Sequence, residues 1–474
     1  MNPLLLGIAL AAPTVAPICV DPNGVTALHA VDARRTAGLE PFQPCDHARF
    51  FVSGWTRPDQ SASWLVSAPA AADHAARVVL RRRGGGPLEI TLACGSHAVR
   101  ATLEAAAEGW QRLPLAGLLP LGVDPSELTL TVHSNAADRP FTVDVQAVEV
   151  FPPDVARALH ERAVAFRADT AWLRAARFGV MVHWTSESMP LRGDPLPYAN
   201  AVEAFDVDAF ADRMHRTGAG FVVFTTSHAR QFFPAPLAAL DRVIPGRTAR
   251  RDLVADLAAA LGRRDVKLML YYHLGSHADP EWLAASRFRD RDSSRFFDTW
   301  QAIVREAGER YGDRLAGWWF DDGAVTYYPR NPPWEDLARA ARSGHPGRLV
   351  CFNPWELASP TEFQDLCAGE GCRDPRGFGG LLVRDGDGRY PVGVHAGLQS
   401  TACLVFESVW VHGRRDTPPG PPSWTEPEVR RLLGEFAAYR NVPIFNLEIT
   451  QEGIVSDRSV DVLAVAARET PSHP

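Results

Sequence analysis

The sequence predicts an α/β protein: a (β/α)8 barrel of the TIM type, preceded by an N-terminal all-β domain built as a sandwich or jelly roll. The chain has 474 residues, more than the roughly 100–200 that one ordinary domain uses. Its first part shows short alternating strands separated by turn residues. Over the remaining part, apolar runs typical of buried parallel strands alternate with helical segments.

The N-terminal part is interpreted as a set of antiparallel strands. Gly, Pro, Asn and Asp separate the short runs, and the stretch Arg81–Gly86 is typical of a solvated hairpin turn. Pro152 and Pro153 then mark a boundary, which predicts domains over 1–152 and 153–474. The expected strands lie at 63–66, 76–80, 88–94, 128–133 and 141–151.

The second part alternates between helical and strand-like segments. A helix is expected over 154–176, followed by a first buried strand over 178–184. An open doubly wound sheet is the alternative, but no glycine-rich nucleotide fingerprint follows the first strand, which favours the barrel. The fifth and sixth strands are the weakest, because the helix between them is short or absent. Further strands are expected at 220–226, 267–273, 317–322, 348–353, 363–368, 401–408 and 441–448, and helices at 206–217, 250–264, 294–311, 331–342 and 426–439.

Charge and cysteine content exclude several classes of function. The chain carries 49 basic and 56 acidic residues, a net charge of −7, and its longest basic block is Arg81–Arg83, which argues against nucleic acid or a membrane surface as partner. No apolar run approaches the ~20 residues of a membrane span, so we expect a soluble protein. The seven cysteines include no C-x-x-C pair, which argues against a disulfide framework or structural zinc.

The N-terminal segment bears on localisation. Leu4–Ala12 is apolar enough for the core of a signal peptide, but no Lys or Arg precedes it, and Pro13 and Pro17 crowd the place of a cleavage site. A cytoplasmic location is therefore favoured, with secretion as the alternative. The sequence does not predict an oligomeric state.

Polar and aromatic side chains end nearly every predicted barrel strand, where barrel proteins carry their reactive groups. Because side chains alternate along a strand, only one of Asp321 and Asp322 can point into the mouth. Asp321 and Glu370 could supply the carboxylate pair that glycosidic cleavage needs, with Glu407 as second choice for the acid/base. Aromatic rings and imidazoles around them suit a sugar. The candidate substrate-binding residues are His183, Trp184, His228, Tyr271, Tyr272, Trp319 and Trp410.

Several motifs occur in order between about residues 171 and 465. They are Trp172–Trp184, 205–210 with 218–225, 250–254 with 266–272, Trp319–Gly323 and 441–453. Together they resemble glycoside hydrolase family 29, the α-L-fucosidases. Trp172–Trp184 is similar to the opening strand of that family, and Trp319–Gly323 is similar to the strand that bears its nucleophilic aspartate.

The resemblance implies a retaining glycosidase that needs neither a metal nor an organic cofactor. Asp321 would form a covalent glycosyl intermediate, while His183 and His228 would bind sugar hydroxyls. Glu370 falls where many bacterial members carry their acid/base glutamate. The N-terminal sandwich would be an accessory domain, with carbohydrate binding as one interpretation.

Departures from the family pattern concentrate among its sugar-contacting motifs. The second His after the second strand is absent from Ser227–Phe232, and Trp355 follows Asn353-Pro354 where the family has an arginine. A shifted glycon is therefore expected, because losing groups that bind particular hydroxyls changes the preferred substrate. One alternative is a non-catalytic carbohydrate-binding protein built on the same barrel. Another is metal-dependent hydrolysis, disfavoured because no H-x-H or H-x-x-x-H pair lies near the strand ends.

Overall fold

The structure is a computed structural model that divides the chain into two compact units, Met1–Leu159 and His160–Pro474. This division lies close to the boundary that Pro152 and Pro153 predict. The structure describes residues 16–469 except 43–49, 84–85, 105–108, 135–140, 276–277, 291, 322–330, 356, 370–381 and 386.

The first unit is a sandwich of two mainly antiparallel sheets. One sheet has the order β1-β6-β12-β8-β9, with β3 beside β6; the other has the order β10-β7-β13-β5-β4, with β11 beside β7 and β2 beside β13. Leu130 from the first sheet and Val145 from the second lie in one fully buried apolar core. The predicted all-β domain is thereby confirmed, while its accessory role stays a prediction. The strands are β1 (Ile18–Cys19), β2 (Thr26–His29), β3 (Arg34–Arg35), β4 (Glu40–Phe42), β5 (Phe51–Trp55), β6 (Ser61–Ser67), β7 (Ala72–Arg83), β8 (Leu88–Cys94), β9 (His97–Leu103), β10 (Trp110–Pro114), β11 (Leu119–Leu121), β12 (Ser126–Ser134) and β13 (Thr142–Phe151).

Helix α1 (Pro153–Phe166) contains the division between the two units, and the second unit then alternates strands and helices. Within the described ranges, no helix is both long enough and apolar enough to cross a membrane. The helices are α2 (Ala171–Ala175), α3 (Tyr198–Ala204), α4 (Val207–Thr217), α5 (Ala238–Val243), α6 (Leu253–Gly262), α7 (Pro280–Ala285), α8 (Ser294–Tyr311), α9 (Trp334–Ala341), α10 (Glu426–Ala438) and α11 (Asp457–Glu469). The strands are β14 (Gly179–Val182), β15 (Phe221–Thr225), β16 (Lys267–His273), β17 (Leu315–Asp321), β18 (Leu349–Phe352), β19 (Leu366–Cys367), β20 (Gln399–Val405) and β21 (Val442–Leu447).

These eight strands form one parallel sheet in the order β18-β17-β16-β15-β14-β21-β20-β19, as a barrel requires. Its two ends, β18 and β19, meet through a main-chain hydrogen bond, from Asp365 N–H to Val350 O at 2.9 Å, and through side chains. Asp365 accepts a hydrogen bond from the backbone N–H of Val350 at 2.7 Å, and Gln364 accepts one from Phe352 N–H at 2.9 Å. The predicted (β/α)8-like barrel is confirmed, and its irregular seam lies between the fifth and sixth strands, the two that the sequence marks as weakest.

The barrel interior is filled by every second residue of the strands, because side chains alternate between the two faces. Met181, Tyr271, Trp319, Cys351 and Ile444 belong to one buried cluster. Leu173 of α2 is also part of it, and Trp172 packs against it. Continuing the alternation by two residues predicts which side chains reach the carboxyl ends of the strands inside the barrel. These are His183, His273, Asp321, Asn353 and Asn446.

Arg348 organises the opposite end of the barrel. Its fully buried guanidinium donates to main-chain carbonyls of Gly308 and Gly312 at 2.8 and 2.6 Å, and to those of Ala341 and Ser343 at 2.9 and 2.6 Å. A further bond reaches Leu315 O at 3.0 Å. Gly308 O also accepts from Gly312 N–H, and the other carbonyls lie at or beyond the last turns of α8 and α9, so one side chain caps both helices. Burial lowers the pKa of Arg348 to about 10, and it remains charged at neutral pH.

Three predicted elements differ from the structure. The hairpin turn expected at Arg81–Gly86 is wrong for its first three residues, because Arg81–Arg83 belong to β7 and pair with β13. The helix expected over 154–176 is split into α1 and α2, because the chain between them turns where Ala168 N–H donates to Asp365 at 2.7 Å. The sixth strand is shorter than the predicted 363–368. The side chains of Gln364 and Asp365 accept hydrogen bonds from β18, and regular pairing with β20 begins only at Leu366–Cys367.

Candidate functional site

Asp321 is the last residue of β17, and its carboxylate is held by three donors from neighbouring strands. Oδ1 accepts hydrogen bonds from Asn353 Nδ2 at 2.7 Å and from the indole N–H of Trp355 at 3.2 Å. Oδ2 accepts a hydrogen bond from the hydroxyl of Tyr271. The side chain is buried but not sealed, with 8% of the residue exposed. Three neutral donors stabilise an ionised carboxylate without cancelling its charge.

A cluster of aromatic rings and imidazoles surrounds His183, which follows β14 and is almost fully buried. Its ring centroid lies 5.6 Å from that of His228, 5.0 Å from Tyr271 and 5.3 Å from Trp410, each in an edge-on arrangement. His273, at the end of β16, lies 5.4 Å from His228. Because Tyr271 contacts both His183 and Asp321, the cluster and the carboxylate form one site at the carboxyl ends of the strands.

Both central histidines are uncharged at neutral pH. Burial, together with the nearby His228, lowers the pKa of His183 to about 4, against the opposing effects of Asn446 and Asp321. Burial also lowers the pKa of His228, although Asp321 and Glu187 oppose that shift. Neutral imidazoles can each donate one hydrogen bond and accept one, as binding of sugar hydroxyls requires.

Two of the predicted substrate-binding residues lie on the helix side of the sheet. Trp184 packs against Tyr198, Phe205 and Phe224, and its indole N–H donates to Gln451 O at 2.9 Å. Tyr272 packs against Trp318, whose own indole donates to the end of α9. The alternation of side chains explains both positions, since His183 and Tyr271 take the inward places. Trp319 faces inward but lies below Asp321 in the buried barrel core.

The structure describes only one of the two candidate acid/base residues, Glu407. Glu370 lies outside the described residues, as does Asp322, the neighbour of Asp321. Glu407, two residues after β20, accepts a hydrogen bond from Ser459 of α11 at 2.6 Å and another from the N–H of Glu448 at 2.9 Å. Its described partners therefore belong to α11 and the end of β21, and burial raises the pKa of Glu407 to about 7.

Sequence reasoning missed Trp355 and Asn446 and gave Asn353 no role at the site. Trp355 follows β18 in a left-handed conformation, with φ of 54°, which no residue pattern predicts. Asn446 accepts a hydrogen bond from His183 Nδ1 at 2.6 Å. A usable signal exists for both asparagines, since each is a polar residue at or just past the end of an otherwise apolar strand.

A metal-dependent reaction has no ligand set in the part of the chain that the structure describes. Within those residues, no group of three or more His, Cys, Asp and Glu side chains has the arrangement that holds a metal ion. His183, His228 and His273 neighbour one another edge-on, and His183 Nδ1 is engaged by Asn446.

The fold and the site together define a (β/α)8-like barrel protein whose strand mouth presents a hydrogen-bonded carboxylate among neutral imidazoles and aromatic rings. Residues 197–365, which contain Asp321 and three of its neighbours, match the family model of the Alpha-L-fucosidase family. The resemblance that the sequence motifs indicate is thereby confirmed over these residues.

Individual relatives match over part of the chain. Tissue alpha-L-fucosidase of Bos taurus is 29% identical over 156 residues, covering 26% of this chain and 31% of the bovine protein. That of Mus musculus is 29% identical over 148 residues, covering 24% and 32%. The chain thus spans about a third of the length of these relatives. Among solved structures, alpha-L-fucosidase isoenzyme 1 from Paenibacillus thiaminolyticus is 20% identical, with a TM-score of 0.45, over 65% of this chain and 75% of that one.

Proposed function

We propose that the protein is a retaining glycoside hydrolase of α-L-fucosidase type, in which Asp321 is the nucleophile. The observation that carries this proposal is the carboxylate of Asp321 at the end of the fourth barrel strand, oriented by Tyr271, Asn353 and Trp355. A carboxylate that three donors hold in place is positioned to attack without first reorganising.

The reaction takes two displacements. In the first, an Asp321 oxygen forms a bond to the anomeric carbon while the glycosidic C–O bond breaks and the leaving oxygen takes a proton from an acid. In the second, that same group removes a proton from water, whose oxygen attacks the anomeric carbon and releases Asp321. Two inversions leave the anomeric configuration unchanged.

Glu370 is the proposed acid/base, supported by its place in the Cys367–Glu370 segment that resembles the family motif. Gly369, directly before it, has φ of 63°, and its carbonyl accepts from Cys403 N–H at 3.2 Å. A Cβ at Gly369 would lie 1.9 Å from Thr401 O, so the chain leaving β19 is tightly held against β20. The bonds of Glu407 to Ser459 and Glu448 favour Glu370 over Glu407 for this role.

The proposed substrate is a terminal deoxy- or related sugar. His183 and His228 would bind its hydroxyls, while Trp410 and Trp355 offer aromatic surface to its apolar face. Trp355, a neutral donor to Asp321, stands where the family motif has an arginine. This replacement supports a glycon different from that of typical members.

The test is turnover of a panel of aryl glycosides, with aryl α-L-fucoside first, by Asp321→Asn. Removing a nucleophile costs on the order of 10³-fold or more in kcat, which is the expected loss for the glycoside that the parent hydrolyses. Asp144→Asn is the matched control, since Asp144 is an equally buried aspartate in the N-terminal sandwich, and it should retain turnover. Full activity of Asp321→Asn would refute the proposal. Saturable sugar binding without turnover by the parent would support the non-catalytic alternative.

A further inference from the structure

Asn446 has only one possible amide orientation. The side chain is fully buried, and its amide nitrogen donates to the main-chain carbonyls of Val409 and Trp410, at 3.4 and 3.2 Å. Carbonyl oxygens accept hydrogen bonds and cannot donate, so the nitrogen of the amide must face them. The amide oxygen of Asn446 therefore faces His183, whose Nδ1 lies 2.6 Å away.

This orientation fixes where the proton of His183 sits. An amide oxygen only accepts, so a hydrogen bond over 2.6 Å requires the proton on Nδ1. The buried ring is neutral at neutral pH, because its pKa lies at about 4. A neutral imidazole has one N–H, so Nε2, at the ring edge away from the main chain, carries a lone pair.

We propose that Asn446 is a positioning residue that holds His183 in the Nδ1–H tautomer, so that Nε2 accepts a hydrogen bond from a hydroxyl of the glycon. The proposal rests on the proposed glycosidase function and specifies one hydrogen bond by which that site recognises its substrate. His228, Tyr271 and Trp410 enclose the ring edge-on and oppose its rotation. The same amide also holds the main chain of Trp410.

A consequence for specificity follows from the direction of this hydrogen bond. A group that meets Nε2 must carry a proton to donate. A hydroxyl meets this requirement, whereas fluorine or a methoxy group at the same carbon does not. The ligand class is thus a sugar with a free hydroxyl at the position that faces His183.

The decisive experiment measures the imidazole ¹⁵N chemical shifts of His183 in the full chain with ¹⁵N-labelled histidine at pH 7.5, assigned by their loss in His183→Gln. We expect a protonated-type shift at Nδ1 and a lone-pair-type shift at Nε2. Protonation at Nε2, or at both nitrogens, would overturn the proposal. This measurement needs no turnover, so it is independent of whether the protein is a glycosidase.

Two variants separate positioning from a merely structural role. Asn446→Leu removes the acceptor, and His183 should then lose the fixed Nδ1–H form. Asn446→Asp keeps an acceptor and adds a charge, which should raise the pKa of His183 by more than one unit, read from the same resonances. Unchanged shifts in both folded variants would contradict the role of Asn446.

Activity supplies a second arm. Fluorine in place of any sugar hydroxyl also slows the chemistry by withdrawing electrons, and this inductive effect is the same in the parent and in His183→Ala. Among aryl glycosides in which each hydroxyl is replaced singly by fluorine, one position should therefore lose about tenfold or more in kcat/KM in the parent beyond its loss in His183→Ala. Equal losses in the two proteins at every position would overturn the assignment of Nε2 as an acceptor. The expected shifts with no turnover of any glycoside would instead refute only the proposed function.

Discussion

The indole N–H of Trp355 donates to Oδ1 of Asp321 over 3.2 Å, from a residue whose backbone lies in the left-handed region at φ 54°. Non-glycine residues adopt this conformation rarely, and such strain is concentrated at functional sites. The same oxygen accepts from Asn353, so two residues of one loop fix the position of the carboxylate.

Replacing Trp355 by phenylalanine should lower activity more than stability. Trp355→Phe keeps an aromatic ring but removes the donor to a carboxylate, and a hydrogen bond to a charged group contributes about 1.5–3 kcal/mol. We expect kcat/KM to fall by about tenfold, equivalent to about 1.4 kcal/mol. Trp64→Phe is the control, because it removes an indole bond to His29 O in the N-terminal sandwich. Equal effects of the two variants on kcat/KM would contradict a role for Trp355 at the site.

Substrates with different leaving groups distinguish between Glu370 and Glu407 as the acid/base. Glu370→Gln should lower kcat/KM, which reports the first displacement, by about 10²-fold or more for glycosides with poor leaving groups. It should spare kcat/KM for activated aryl leaving groups, which depart without a proton, while kcat falls for both because the second displacement loses its base. Glu407→Gln should leave this selectivity unchanged, since Glu407 bonds to Ser459 and Glu448. Leaving-group dependence in Glu407→Gln, and none in Glu370→Gln, would reverse the assignment.

Glu407 should make stability depend on pH. Its pKa of about 7 exceeds the ordinary value of 4.5, so the folded state holds this proton more tightly than the unfolded state. The contribution is complete below about pH 4.5 and is lost as pH rises through 7, on the order of a few kcal/mol. Urea unfolding of the parent and of Glu407→Gln at pH 5 and pH 8 tests this.

In that experiment, the parent should lose stability from pH 5 to pH 8 relative to the variant, because glutamine does not titrate. Glu448 and its partner His412 are the titratable groups next to Glu407, and both remain in the variant. A constant difference between the two proteins across this range would contradict the raised pKa.

Arg348 should be among the most stabilising single side chains. Arg348→Met would remove a donor from five main-chain carbonyls, of which Gly308 O keeps its bond from Gly312 N–H and Ala341 O keeps its bond from the indole of Trp318. Each of the others costs about 1–3 kcal/mol if it finds no other partner. We expect a loss of about 3–5 kcal/mol in the free energy of unfolding, measured by denaturant titration. Arg342→Met at the barrel seam breaks an ion pair with Asp365 and gives a comparison. A loss below about 1 kcal/mol for Arg348→Met would contradict its capping role.

The barrel could be predicted because buried parallel strands are continuous apolar runs that a single sequence displays. The strand Lys267–His273 was predicted to the residue. The detail of the seam could not be predicted, because side chains of Gln364 and Asp365 supplement a main-chain bond there, and polar side-chain bonds have no apolar signature.

The sequence predicts which types of residue lie at the candidate site, but not which residue of each adjacent pair faces the barrel interior. Sequence places Tyr271 and Tyr272, or His183 and Trp184, side by side, while only the barrel determines which of each pair faces inward. Trp355 was missed for a different reason. Its contact with Asp321 depends on a left-handed turn after Pro354, and tertiary contacts rather than local preference set that conformation.

Covalent trapping tests the central claim most directly. The parent protein, treated with 2-fluoro-fucosyl fluoride or the 2-fluoro glycosyl fluoride of whichever sugar it hydrolyses, should gain the mass of one fluoroglycosyl group. Peptide mapping should place that group on Asp321. An adduct on any other carboxylate, or none while the same reagent inactivates the protein, would contradict the assignment of Asp321 as the nucleophile.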